Sequence, residues 1–263
     1  MLWSVSPVTD VYIAVSADRN GILASWDWDS MPLCVLVSYY YLQSAEQGVL
    51  KFIRPEKLML DSGAFSAFQK GESIDIDALI AEVREPRWTE AVGLDVIGDS
   101  EGSRRNLTYM REHGALKAMP VFHIGEPLEL LDYYCEHWPK VGLSCRFGES
   151  MPQSLAFYAS CFARQWPHKF HSFGWSGETM LMRFPFHSAD STSWVAGIFA
   201  WAQMPISNKS LRTRDLPGHG RPTKAALTSA SRIYLESTWN VQTKLRARWR
   251  REMALLESQG VTP

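Results

Sequence analysis

Residues 57–65 read KLMLDSGAF: an apolar run ends on the carboxylate of Asp61 and breaks at once into Ser62, Gly63 and Ala64 before Phe65. Two other stretches repeat the arrangement, AVGLDVIGD (91–99) reaching Asp95 and FHSADSTSW (186–194) reaching Asp190. A carboxylate just past a Val/Leu/Ile run lies at the carboxyl end of a strand, and in barrel-type α/β folds that rim presents the catalytic groups. A single Asp in a loop more often caps the helix or turn that follows. Three at the same place in successive units favour one acidic pocket.

Working outward from these stretches, short β-like runs recur at 11–16 (VYIAVS), 35–40, 57–61, 91–95, 119–123 (MPVFH), 141–145 (VGLSC), 169–174 (KFHSFG) and 185–190. Most are separated by segments of helical spacing: IDALIAEVRE, RRNLTYMREHG ending at Gly114, PLELLDYYCEHW, and QSLAFYASCFARQW after Pro152. Asp61 and Asp95 stand 34 residues apart, and Asp95 and His123 28 apart, which are the lengths of βα units. Eight strands alternating with helices predict an α/β fold, a (β/α)8 TIM-type barrel over residues 1–202, rather than an open doubly wound sheet; no GxGxxG follows a strand to suggest dinucleotide binding. After about residue 202 the pattern changes. A basic loop from Met204 to Pro222 leads into a long helical extension, so that 203–263 form an appendage packed on the barrel through Leu227, Leu235, Trp239, Leu245, Trp249, Met253 and Leu256. On that helix Arg246, Arg248, Arg250 and Arg251 are expected to face partly into solvent.

With 263 residues, 46% of them hydrophobic, the chain can bury a large core, and one barrel accounts for its length. Its aromatic richness is first a matter of core packing, which is also the expectation for Trp175 and Trp194. The four cysteines, Cys34, Cys135, Cys145 and Cys161, show no CxxC or Cys/His cluster of metal spacing, so neither a metal nor a cofactor is expected. No signal peptide and no apolar run of membrane-spanning length is present, which points to a reduced, cytoplasmic enzyme. The net charge of -1 hides an asymmetry: between Met204 and Arg251 eleven Lys/Arg face only Asp215 and Glu236. Because Lys209, Arg212, Arg214, Arg221 and Lys224 fall in or beside a Gly/Pro-rich loop, where solubility hardly demands them, they read as phosphate contacts to nucleic acid.

The motifs themselves resemble a family. LDSGAF is similar to the DSGGF/Y signature of tRNA-guanine transglycosylases, and FHSADSTSW resembles their relatives that exchange guanine for 7-deazaguanine bases in DNA. The likeness runs from about Leu58 to Trp194 with its pieces in order. It implies a barrel whose strand ends hold a flipped nucleotide, Asp190 as the nucleophile that attacks the sugar C1′, and Asp61 as the carboxyl that contacts the base and assists proton transfer. Such a division of labour is the two-carboxylate logic of glycosidic cleavage. The resemblance further implies base contacts from Ser62, a stacking aromatic at Phe65, a base-reading carboxylate at Asp95, and close backbone approach at Gly142 and Gly174, where a missing Cβ leaves room.

Departures accompany the matches. The family's CxCxxC and later His, which bind zinc in the tRNA enzymes, have no counterpart after Asp190, so no zinc subdomain is expected and DNA is favoured over tRNA as partner. The glutamine-bearing strand end is replaced by PVFHIGE, which places His123 at the polar edge of the base, and Ala64 stands for the second Gly of DSGGF. The expected activity is exchange of guanine for a free 7-deazapurine in DNA. Alternatives are a DNA glycosylase that leaves an abasic site, tRNA base exchange, and a catalytically silent or unrelated barrel.

Overall fold

The computed structural model describes residues 9–15, 21–145, 149–174, 177–192, 203–215 and 223–259, with the backbone alone at 203–206 and 212–215. Nine short parallel strands run β1 (Asp10–Val15), β2 (Cys34–Ser38), β3 (Lys57–Asp61), β4 (Glu90–Val92), β5 (Ala118–Met119), β6 (Val121–His123), β7 (Lys140–Ser144), β8 (Lys169–Phe173) and β9 (Ser188–Ser191). Their order is β5-β4-β3-β2-β1-β9-β8-β7-β6. The two edges of that order, β5 and β6, are halves of one strand interrupted by Pro120, which has no N–H to give a ladder. Gly93 N donates to Met119 O on one side and Gly142 N to Pro120 O on the other, so the ring closes with eight strands. The architecture is the TIM-type (β/α)8 barrel, and all eight expected runs are its strands.

Side-chain parity divides the core into two shells. Val11, Ile13, Val35, Val37, Leu60 and Ala91 face outward and pack with the helices. Tyr12, Cys34, Leu36, Met59, Val92, Met119 and Val121 fill the barrel interior. Residues buried on both faces are why these strands read as apolar runs rather than as alternating ones. The same inward rows carry the polar groups at either mouth: Asp10, Lys57, Glu90 and Lys140 at the amino-terminal end, Asp61 and Asp190 toward the carboxyl-terminal end.

The connecting helices are α1 (Leu42–Gln47), α2 (Ala64–Lys70), α3 (Ile76–Val83), α4 (Ser100–Glu112), α5 (Leu128–His137), α6 (Met151–Gln165) and α7 (Glu178–Leu181). Asp75 caps α3 by accepting from Asp77 N and Ala78 N, and Asp99 caps α4 by accepting from Gly102 N. The stretch expected as a loop from Met204 is structured over its described part. Strands β10 (Gln203–Ser207) and β11 (Ser210–Asp215) pair antiparallel as a hairpin, with an irregularity between Pro205 and Ser207, and the Gly/Pro cluster that suggested a loop lies beyond them at 216–222, outside the described residues.

Helix α8 (Lys224–Ser258) is 35 residues long, about 50 Å at 1.5 Å per residue. It lies along β1, and Ala230, Tyr234, Leu235, Val241, Leu245 and Trp249 belong to the main core. Gln242 Oε1 accepts from Val11 N at 2.8 Å, and Trp249 Nε1 donates to Leu181 O at 3.2 Å. Arg246, expected to face partly into solvent, keeps 18% of its side chain exposed and reaches to the amino-terminal mouth, where its guanidinium grips Asp10 at 2.5 Å and Glu56 at 2.9 Å. The reason is Asp10, wholly buried and needing compensation, which it also takes from Lys57 at 2.6 Å. No helix among the described residues is long and apolar enough to cross a membrane.

Candidate active site

Asp61 closes β3, and the turn after it is fixed by geometry. Gly63 takes φ +77°, and its N–H donates to Asp61 Oδ2 at 3.1 Å. A Cβ on Gly63 would stand 2.7 Å from Tyr40 and 2.9 Å from Ser38 Oγ, so only glycine permits this close approach of the β2 and β3 strand ends. Ser62 is buried within the turn. Phe65 and Phe68, 57% and 60% exposed, follow three residues apart on α2 and so share one helix face.

Asp190 sits in β9, only 8% exposed. Its Oδ1 accepts from Gly174 N at 3.0 Å and faces His171 Nε2 at 3.3 Å. Gly174 turns at φ +66° directly after β8, and a Cβ there would meet nothing within 4 Å. What the structure assigns to Gly174 is the backbone donor that holds Asp190. His171 is fully buried, and its Nδ1 lies 2.7 Å from Ser188 Oγ. Burial pushes its imidazole below the ordinary range, Lys140 adds to the fall, and Asp190 and Glu90 oppose it. In the neutral ring that burial favours, a carboxylate at Asp190 would take an Nε2–H and Ser188 would give its hydroxyl proton to Nδ1.

Asp95 lies three residues beyond β4. Its Oδ2 is 3.6 Å from His123 Nε2, while Oδ1 is buried with no hydrogen-bond partner among the described residues. Burial pushes the carboxyl up to about 7, against the opposing effect of His123 and with added push from Glu126 and Asp61. His123 ends β6 and is clasped by Glu126, whose Oε2 accepts from His123 N at 2.8 Å while Oε1 lies 3.7 Å from Nδ1. Asp61 is held up at about 6, by burial first and by Asp190 second, with the Gly63 N–H opposing. The three strand-end aspartates thus lie within electrostatic reach as a chain, Asp190 acting on Asp61 and Asp61 on Asp95.

Other expected positions fall differently. Gly142 does not offer an open face: an added Cβ would stand 2.2 Å from the Phe173 ring, which already fills the space the missing side chain leaves. Lys209 is exposed in the hairpin turn, where neighbouring Asn208 O accepts from Asn240 Nδ2. Beside it Ser210 Oγ donates to Glu178 Oε2 at 2.8 Å at the start of α7, so Lys209 lies on the outer wall next to α7 and α8. Lys224 is exposed at the first turn of α8. Arg212 and Arg214 lie on β11 with only their backbone described, and Arg221, Trp175 and Trp194 fall outside the described residues. Sequence reading missed His171, Ser188 and Glu126. The signal for the first two was parity: His171 precedes Phe173 by two residues, as Ser188 precedes Asp190, so each shares the inward row of its strand.

No protein-family model matches the chain, and no curated protein matches it. Solved structures do. A protein of Aquifex aeolicus VF5 superposes over 91% of this chain and 92% of its own with a TM-score of 0.51 at 9% identity. The tryptophan synthase alpha chain of Legionella pneumophila subsp. pneumophila does so over 90% and 92% with a TM-score of 0.50 at 10% identity. At such identities the likeness shows the barrel fold and leaves the chemistry to the residues at its strand ends.

Proposed function

We propose that the chain cleaves the N-glycosidic bond of a nucleobase extruded from DNA by double displacement, exchanging guanine for a 7-deazaguanine base. The observation that carries this reading is the unequal environment of two neighbouring carboxyls. Asp190 accepts the Gly174 N–H on Oδ1 at 3.0 Å, with His171 Nε2 3.3 Å from the same oxygen, surroundings that suit an anion. Asp61, half-buried within electrostatic reach of Asp190 and held up at about 6, is suited to carry a proton. Environments that push paired carboxyls apart are how one site obtains both a nucleophile and an acid.

In the first step a bond forms between an Asp190 oxygen and C1′, the C1′–N bond breaks, and its electron pair on the base nitrogen takes the proton of Asp61. In the second, Asp61, now ionised, removes a proton from the incoming base; the base nitrogen bonds to C1′ and the ester electron pair returns to Asp190. Phe65 and Phe68 stand exposed just beyond Asp61, as a stacking surface for an extruded nucleotide requires. Asp95 Oδ1, buried and without a partner among the described residues, is available to a donor on the base edge.

The test incubates guanine-containing single- and double-stranded DNA with and without labelled free 7-deazaguanine. Exchange gives labelled DNA with an intact strand. Alkali-labile sites formed without added base identify the hydrolytic, glycosylase reading instead. Neither product, together with an Asp190→Asn variant indistinguishable from the parent, removes the assignment.

A further inference from the structure

A histidine with no exposed surface is costly unless both ring nitrogens find partners. His171 finds them along its own inward row and that of the neighbouring strand: Ser188 Oγ at 2.7 Å from Nδ1 and Asp190 Oδ1 at 3.3 Å from Nε2. Register places it there, since His171 pairs with Ser188 across β8 and β9, and with Gly142 on the other side. The rings of Tyr12 and Phe173 pack edge-on against it, at centroid distances of 6.1 and 4.4 Å. The charged groups that face it are Asp190 above and the Lys140–Glu90 pair below, the latter joined at 2.6 Å.

Ser188 therefore does more than fill a hydrogen bond. By donating to Nδ1 it obliges the neutral ring to carry its proton on Nε2, toward Asp190. The Gly174 N–H converges on the same oxygen, Oδ1, from the β8 end. Both donors thus engage one oxygen of the carboxylate, and Oδ2 is the oxygen not claimed by either. When Oδ2 bonds to C1′ as the C1′–N bond breaks, Oδ1 becomes the carbonyl oxygen of the ester. When the C1′–Oδ2 bond later breaks, its electron pair returns to the carboxylate and negative charge reappears on Oδ1, between two donors already in place. Donors aimed in advance at developing charge accelerate that step.

We propose that His171 is the positioning residue of this site: held in its Nε2–H tautomer by Ser188, it fixes Asp190 with Oδ2 as the attacking oxygen and stabilises the carboxylate as it leaves. The chemistry rests on the glycosidic reading above, whereas the tautomer does not, and the experiment separates them.

The tautomer is read first, by nitrogen-15 NMR of histidine-labelled full-length protein between about pH 6 and 8. One non-titrating ring protonated at Nε2, whose signals move in Ser188→Ala, is expected. A His171 protonated at Nδ1, or charged in this range, overturns the inference and leaves the glycosidic reading standing. The second arm quenches end-labelled, guanine-containing DNA into denaturant and follows protein-bound label in the parent, His171→Phe and His171→Gln. Removing one such donor costs roughly 100-fold, so His171→Phe is expected to slow loss of the bound label by about that factor and its formation by less. His171→Gln, which keeps an N–H donor, recovers most of the difference. Equal slowing of both steps, or no recovery with Gln in folded protein, shows a merely structural histidine and overturns the inference. No label bound at Asp190 in the parent overturns the glycosidic reading and the role built on it together.

Discussion

Asp61 is held up at about 6 by burial and, after burial, by the charge of Asp190. Replacing Asp190 by Asn removes that charge and leaves the burial, so the Asp61 midpoint moves down without reaching the range of an exposed aspartate. Carbon-13 NMR of the Asp61 carboxyl in parent and Asp190→Asn protein checks this. If Asp61 is the acid of the first step, base release in the parent also falls as pH rises through about 6.

Asp95 makes the stability of the fold depend on pH in an unusual direction. Its folded midpoint, about 7, lies above that of an unfolded aspartate, near 3.9, so the folded state holds its proton more tightly. The sign follows: the contribution is fully present below about pH 4, is lost as pH rises, and is gone above about 7. Asp95→Asn is thus expected to be more stable than the parent at pH 8, by on the order of 2–4 kcal/mol, with the gap closing toward pH 4. Urea midpoints at the two pH values measure it.

Arg246 compensates a buried charge. Asp10 is fully buried between Arg246 and Lys57, and removing one partner of a buried ion pair leaves charge uncompensated. Arg246→Met is expected to cost about 3–5 kcal/mol, whereas Asp10→Asn combined with Arg246→Met costs less than Arg246→Met alone. A double-mutant cycle by denaturant unfolding measures this; additive effects would show that the two side chains act independently.

The barrel was legible because its strands, buried on both faces, appear as eight apolar runs, and because Gly or Pro punctuates the helices between them. The hairpin at 203–215 was not, since strands rich in Ser, Thr and Arg beside a Gly/Pro cluster carry the composition of a loop; only the ladder between β10 and β11 reveals them. The acidic cluster was legible because Asp61, Asp95 and Asp190 each follow an apolar run closely. The ion pairs of Arg246 were not legible, because charge in a sequence does not say whether a buried Asp10 awaits it. His171 escaped notice because a histidine inside a strand looks like packing until its two nitrogens are traced to Ser188 and Asp190.

Phe173 occupies the space that Gly142 leaves open. An alanine there puts its Cβ 2.2 Å from the ring and must displace it inside a filled barrel, which costs about 1–3 kcal/mol. Phe173→Leu in the Gly142→Ala background relieves the clash and returns part of that stability. Thermal unfolding of the single and double variants tests the pairing. No recovery would mean that Gly142 is required by the backbone of β7 rather than by the ring.

The basic stretch divides by position. Lys209 turns the hairpin beside Asn240 on the outer wall, while Arg212 and Arg214 lie along β11 toward the hairpin's open end. If that strand meets the DNA backbone, charge reversal at Arg212 and Arg214 together should weaken binding and reduce the slope of log affinity against log salt by about 2, since each phosphate contact contributes roughly 0.9. Lys209→Glu should change the slope by much less. Fluorescence anisotropy of labelled duplex across a salt series distinguishes the two. Equal slopes for all variants would move the nucleic-acid surface off the hairpin, to groups nearer the exposed pair Phe65 and Phe68 beside the aspartates.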